Sequence, residues 1–176
     1  MKVPLSWLKE YLPIKLSTEE IDKTLTMLGL EVEGVEQTEK GEALFEIALT
    51  PNLAHCASIR GVARELGAIT QEELLHPKHS LIENSDAPID KHTSVKVEDQ
   101  ESCPRYACRL IENIKVAPSP EWLRERVEMC GMQSINNVVD ITNLVMLELG
   151  QPLHAFDFDR LEGGRIVVRR AKKEEK

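Results

Sequence analysis

The residues best placed to do chemistry lie between Ser134 and Arg160, in the run SINNVVDITNLVMLELGQPLHAFDFDR. Thr142 and Asn143 fall on an apolar helix pattern, and His154 follows a Gly150 stop in the Pro152–Phe156 turn. Together they offer a hydroxyl, an amide and an imidazole, a set that can orient an ester and a water molecule. A lone histidine is more often structural than reactive. The functional reading gains weight because groups on loops held by a rigid element are favoured binding positions. No serine or cysteine stands in a nucleophile–base arrangement with His154, so a positioned water is the expected nucleophile.

The other polar residues of the run read as structural. Asn136 and Asn137 precede the helix and are expected to cap it. Asp140 is expected to make a surface or capping contact. Asp157 and Asp159 flank Phe158 and read as turn formers or ion-pair partners of Arg160. A paired-carboxylate glycosidase has no supporting context. There is no Walker loop and no dinucleotide fingerprint, so no ATP site is expected in this chain.

The elements that must position these groups are legible from pattern. Ser17 and Glu20 have capping-box spacing, and Ile21, Leu25 and Leu28 share a helical face that ends at Gly29. Leu30 to Glu33 alternates as a strand, and Phe45, Ile47 and Leu49 alternate as a half-buried one, separated by the polar connector Glu36–Glu42. A short helix is predicted from Ser58 to Leu66, with Gly67 as its stop. Arg60 and Arg64 lie four apart on it, on a solvated face or against phosphate or a partner. Residues 71–93 are polar, with a helical turn inside. Val95 and Val97 suggest a strand, and Tyr106, Cys108 and Leu110 another. Ser119 is the expected cap of a helix with Pro120 in its first position, Leu123, Val127 and Cys130 on its buried side and Gly131 as its end. The key helix is predicted over Asn137–Leu149, buried along Val138, Ile141, Val145 and Leu149, with Asp140, Asn143 and Leu147 on another edge. Ile166 to Val168 begin a last strand. Segregated helices and strands favour an α+β fold.

Bulk properties narrow the function classes. The 176 residues are 41% hydrophobic and 30% charged, with 4% aromatics, so the core must rest on aliphatic side chains. A net charge of −8 argues against general nucleic-acid binding, which is driven by phosphate neutralisation. The N-terminus lacks a signal-peptide pattern, and no stretch reaches membrane-span length. Cys56, Cys103, Cys108 and Cys130 form no C-x-x-C pair. They read as buried free thiols in a reducing cytoplasm, with a zinc site as the lesser alternative.

Three segments carry a resemblance to one family. MKVPLSWLKEYLP with LSTEEIDKTLTMLGLEVEGVE, FEIALTPNLAHCASIRGVAREL, and SINNVVDITNLVMLELGQPLHAFDFDRLEGGRIVVRRA resemble, in order, the bacterial phenylalanyl-tRNA synthetase β subunit. The resemblance implies a winged-helix-like α+β domain over residues 1–75, a linker over 76–93, and the first part of an α+β editing domain over 94–176. It implies that Thr142, Asn143 and His154 fall on editing-pocket positions, where mischarged Tyr-tRNA(Phe) is hydrolysed. It also implies an α-subunit partner in an (αβ)₂ assembly, tRNA(Phe) as substrate, and ATP and Mg²⁺ used by the full complex but not bound here. The sequence departs from the family pattern in three places. The 36–42 connector is too short for the family's OB-fold insert. Leu53 and His55 stand where an Arg and an Asp are usual. The chain stops at Lys176 within the editing module, so alone it is expected to be inactive. The alternatives are a free-standing RNA- or protein-binding module and a trans-acting aminoacyl-tRNA deacylase.

Overall fold

The computed structural model describes residues 1–77, 80–83 and 88–175. The fold is α+β, and its residues gather into two compact units. One comprises Met1–His79 with Val116–Ala155, the other Ser80–Lys115 with Phe156–Lys176.

The first unit is built on a three-stranded antiparallel sheet of β1 (Lys2–Pro4), β2 (Glu31–Gln37) and β3 (Ala43–Ala48), in the order β1-β3-β2. Val3 and Val35 both pair with Phe45, and the β2–β3 register shifts between Val32 and Gly34, the mark of a bulge. As the central strand, β3 buries Ala43, Leu44, Phe45 and Ile47, so its burial exceeds the alternating pattern that sequence predicts. The expected Glu36–Glu42 connector is shorter than its polar composition suggests: Glu36 and Gln37 pair with Leu44 and Ala43 as the end of β2, and the chain turns over residues 38–42, Thr38 N donating to Glu42 O.

Three helices cover this sheet's end of the chain. α1 (Leu5–Tyr11) has no counterpart in the sequence reading, yet it buries Trp7, Leu8 and Tyr11. α2 (Thr18–Met27) starts at the predicted capping box, with Glu20 N bonded to the Ser17 hydroxyl and Ser17 N to the Glu20 carboxylate. α3 (Ile59–Thr70) is capped by Ser58, whose Oγ accepts from Gly61 N at 3.0 Å.

Gly67 does not end α3. The helix passes through it to a left-handed Gln71. Gly67 is there for packing, since a Cβ would lie 3.0 Å from both Glu72 O and Leu12 Cδ1. Gly61 is under tighter constraint. A Cβ there would sit 2.3 Å from His55 O and 2.9 Å from Cys56 Cα, inside the preceding 3-10 turn Pro51–Cys56.

The same unit contains α4 (Glu121–Met129) and α5 (Asn137–Leu149). Leu123 and Val127 are fully buried, and Arg126 lies over the Trp7 ring at 4.9 Å while pairing with Glu10. Pro120, not Ser119, occupies the N-cap of α4 and supplies no side-chain bond. The Ser119 hydroxyl is engaged by Asp140 instead.

The second unit has a two-stranded parallel sheet, β4 (Ser94–Val97) with β5 (Arg165–Val168), in which Val95 pairs with Ile166 and Val97 with Val168. The helical turn expected before β4 is the 3-10 turn Ile89–Lys91. The rest of that polar stretch falls partly outside the described residues. Tyr106–Leu110 forms no strand, and Cys108 is exposed. Alternation by itself supplies no ladder partner, and a strand exists only where its backbone groups are paired.

Gly61→Ala tests the turn-on-helix packing. Alanine gains about 1 kcal/mol of helix propensity, but the rigid His55 and Cys56 backbone leaves it no space. We expect a net loss of about 1–2 kcal/mol in urea unfolding; a variant as stable as the parent would show that the turn yields.

Candidate functional site

The predicted site residues all fall on, or just after, α5. The helix has the predicted bounds, Asn137–Leu149, because its ends are chemically specified. Asn136 caps it through Oδ1, which accepts from Val138 N and Val139 N, both at 3.0 Å. Asn137 contributes in a different way, its Oδ1 accepting from Ala117 N. Gly150 terminates the helix with a φ of +76°, a left-handed conformation that a Cβ would strain.

The rotation of α5 differs from the sequence expectation. Leu144 and Leu147 pack on the core, and Asp140 is the fully buried residue of the helix. Ile141 and Leu149, predicted to face inward, are 49% and 47% exposed. The cause is Asp140. Its Oδ2 accepts from the hydroxyls of Ser119 and Ser134, each at 2.5 Å, and its Oδ1 from Ile135 N at 2.9 Å. Burial opposes the charge, but the two hydroxyls and the N–H groups of Ile135 and Asn136 outweigh it and hold the carboxyl below the usual carboxylate range. Asp140 is therefore an internal anchor and not a surface contact.

The far end of α5 is also tied down. Tyr11 Oη donates to Glu148 Oε1 at 2.7 Å, and a Cβ at Gly150 would come within 3.4 Å of Ser58 Cβ. Burial first, and then the Glu148 carboxylate, push the Tyr11 phenol above its usual range.

Thr142 and Asn143 are half-buried on the middle of this fixed helix. The Thr142 hydroxyl donates to Val139 O at 2.6 Å, which commits its proton and presents its oxygen as an acceptor. His154 is exposed on the extended stretch beyond Gly150. Asp157 behaves as the sequence suggests, accepting from Asp159 N and pairing with Arg160 Nε at 3.4 Å.

A second cluster escaped the sequence reading. His55, Cys56 and Glu65 bring one donor atom each to within 4.8 Å of one another. The available signal was the adjacency of His55 and Cys56 ahead of a helix; a search for C-x-x-C spacing overlooks it. Arg60 and Arg64, read as solvated or phosphate-facing, are both exposed, and Arg64 also donates to His55 O and approaches Glu65 at 3.8 Å.

Among the described residues, no helix is long and apolar enough to cross a membrane. Residues 102–176 match the model of the B3/4 domain, a stretch that contains Thr142, Asn143 and His154. Over 134 residues, 76% of this chain, the sequence is 50% identical to the phenylalanine–tRNA ligase β subunit of Protochlamydia amoebophila, covering 17% of that protein. It is 52% identical over 130 residues to the β subunit of Geobacter sulfurreducens, covering 74% of this chain and 16% of the relative. The β subunit of Rhodopirellula baltica is 42% identical over 175 residues, 99% of this chain and 25% of the relative. The chain thus spans between about a sixth and a quarter of the length of these relatives.

Asp140→Asn tests the anchor. The amide cannot accept all three donors, and we expect a loss of about 1–3 kcal/mol at neutral pH. A carboxyl whose folded pKa is depressed stabilises above its unfolded pKa of about 3.9 and loses that contribution as pH falls through the lower folded value. The parent should therefore lose stability below about pH 4 more steeply than the variant; parallel pH–stability curves would contradict the assignment. Identities of 50% over 76% of the chain and 42% over 99% of it place the chain in the phenylalanine–tRNA ligase β-subunit family.

Proposed function

We propose that this chain is the part of a phenylalanine–tRNA ligase β subunit in which mischarged Tyr-tRNA(Phe) is hydrolysed, working with an α subunit that charges the tRNA. The observation that carries this reading is the match of residues 102–176 to the B3/4 domain together with β-subunit similarity over 99% of the chain. In an (αβ)₂ complex, ATP and Mg²⁺ serve the α subunit's reaction, and no residue of this chain is assigned to them. The complex would act in the cytoplasm.

The chemistry follows from the side chains. Hydrolysis of an aminoacyl ester needs an oriented carbonyl and a water held on the line of attack. Asn143 offers an amide that can both donate and accept, His154 an imidazole that can accept a proton from water or donate to the ester, and Thr142 a hydroxyl oxygen on the pocket wall. Positioning, not a covalent intermediate, supplies the rate. Selection of tyrosine over phenylalanine requires a partner for the phenol hydroxyl, because a buried polar site that loses its partner discriminates strongly against the smaller analogue. With a net charge of −8, contact with a tRNA substrate calls for a local basic patch on this chain or for basic surface from elsewhere in the complex.

The test uses the αβ complex carrying His154→Ala or Asn143→Ala. Deacylation of Tyr-tRNA(Phe) is expected to fall roughly 10²-fold, the typical cost of losing a positioning contact, with phenylalanylation unchanged. Unchanged deacylation in both variants would remove these residues from the reaction.

A further inference from the structure

We propose that His55, Cys56 and Glu65 form a binding site for a divalent transition metal of the zinc type, outside the α5 region. The three donors suit that metal. A thiolate, an imidazole and a carboxylate form a borderline-soft set with two negative charges, which neutralises a dication and leaves a fourth position for water.

The spacing fits as well. His55 Nε2 lies 3.4 Å from Glu65 Oε1. Two ligand atoms on metal bonds of about 2.1 Å at the tetrahedral angle are separated by about 3.4 Å. All three donor atoms fall within 4.8 Å of one another, so closing the site needs a movement of about 1 Å, within reach of side-chain rotation.

The backbone beneath the donors is held on both sides. His55 and Cys56 end the 3-10 turn Pro51–Cys56, closed by Ala57 N donating to Ala54 O. Glu65 lies on α3, whose Ser58 cap and Gly61 press against the same turn. His55 and Glu65 side chains are 47% and 33% exposed, while Cys56 is buried beneath them. The metal therefore enters from the solvent side and reaches the sulfur last. On binding, the Cys56 S–H bond breaks, a sulfur–metal bond forms and the proton passes to solvent; His55 contributes the Nε2 lone pair. Arg64 relinquishes its 3.8 Å approach to Glu65, an exposed contact of little net worth.

The experiment uses the full chain carrying Cys103→Ser, Cys108→Ser and Cys130→Ser, which removes the three other thiols, none of them fully buried. Zn²⁺ is titrated in competition with a chromophoric chelator, and Co²⁺ is followed by its thiolate charge-transfer absorption. The expected result is one equivalent bound with a thiolate–Co²⁺ band. His55→Ala and Glu65→Gln, added singly, should each weaken Zn²⁺ binding by about tenfold or more, since even outer partners of metal ligands cost that much. The absence of stoichiometric binding, or affinity unchanged by both substitutions, would overturn the site.

Discussion

The carboxylate of Asp140 has no exposed surface, and the way its charge is satisfied fixes the first turn of α5 against the segments before it. A buried carboxylate without donors is prohibitively costly, so a chain that keeps one must bring hydroxyls and N–H groups to it. Ser119 comes from ahead of α4, Ser134 and Ile135 from the loop between α4 and α5. One side chain thus fixes the α4–α5 corner, sets which face of α5 turns inward, and settles where Thr142 and Asn143 point relative to the core. Ser119 is unavailable as a helix cap for the same reason.

A second constraint operates at the other end of the same unit. Gly61, Ser58 and the Pro51–Cys56 turn pack so closely that the start of α3 has little freedom. Gly150 meets this corner, and Glu148 is tied to Tyr11. The stretch carrying His154 therefore leaves from an anchored helix end. Such a frame is what the proposed hydrolysis would use, since that reading depends on holding a water and an ester and not on a strong nucleophile. The same rigid corner holds His55, Cys56 and Glu65 together.

Some features were legible because they are local. The capping box of α2, the Asn136 cap, the Gly150 stop and the bounds of α5 are written in residues a few positions apart, and each closes its own hydrogen bonds. The Asp157–Arg160 turn is equally local. The family resemblance was legible because long ordered segments carry it; Thr142, Asn143 and His154 stood out by their chemistry on and beyond one helix, and their editing role comes from that resemblance. α1 could have been found from the positions of Trp7, Leu8 and Tyr11 after Pro4.

What the sequence by itself determined, then, was the α+β class, the start of α2, the bounds of α5 and the identity of the polar groups on and beyond α5. Tertiary structure alone decided the rotation of α5, because a helical pattern counts an aspartate as polar while its burial depends on hydroxyls from residues up to 21 positions away. It also decided that Gly67 is a packing residue inside α3, since Leu12 and Glu72 occupy the space a Cβ would need. It left Tyr106–Leu110 without a strand, because pairing is a property of two segments. And it brought Glu65 to His55 and Cys56, since only the fold of a turn back onto its following helix makes neighbours of residues nine and ten positions apart.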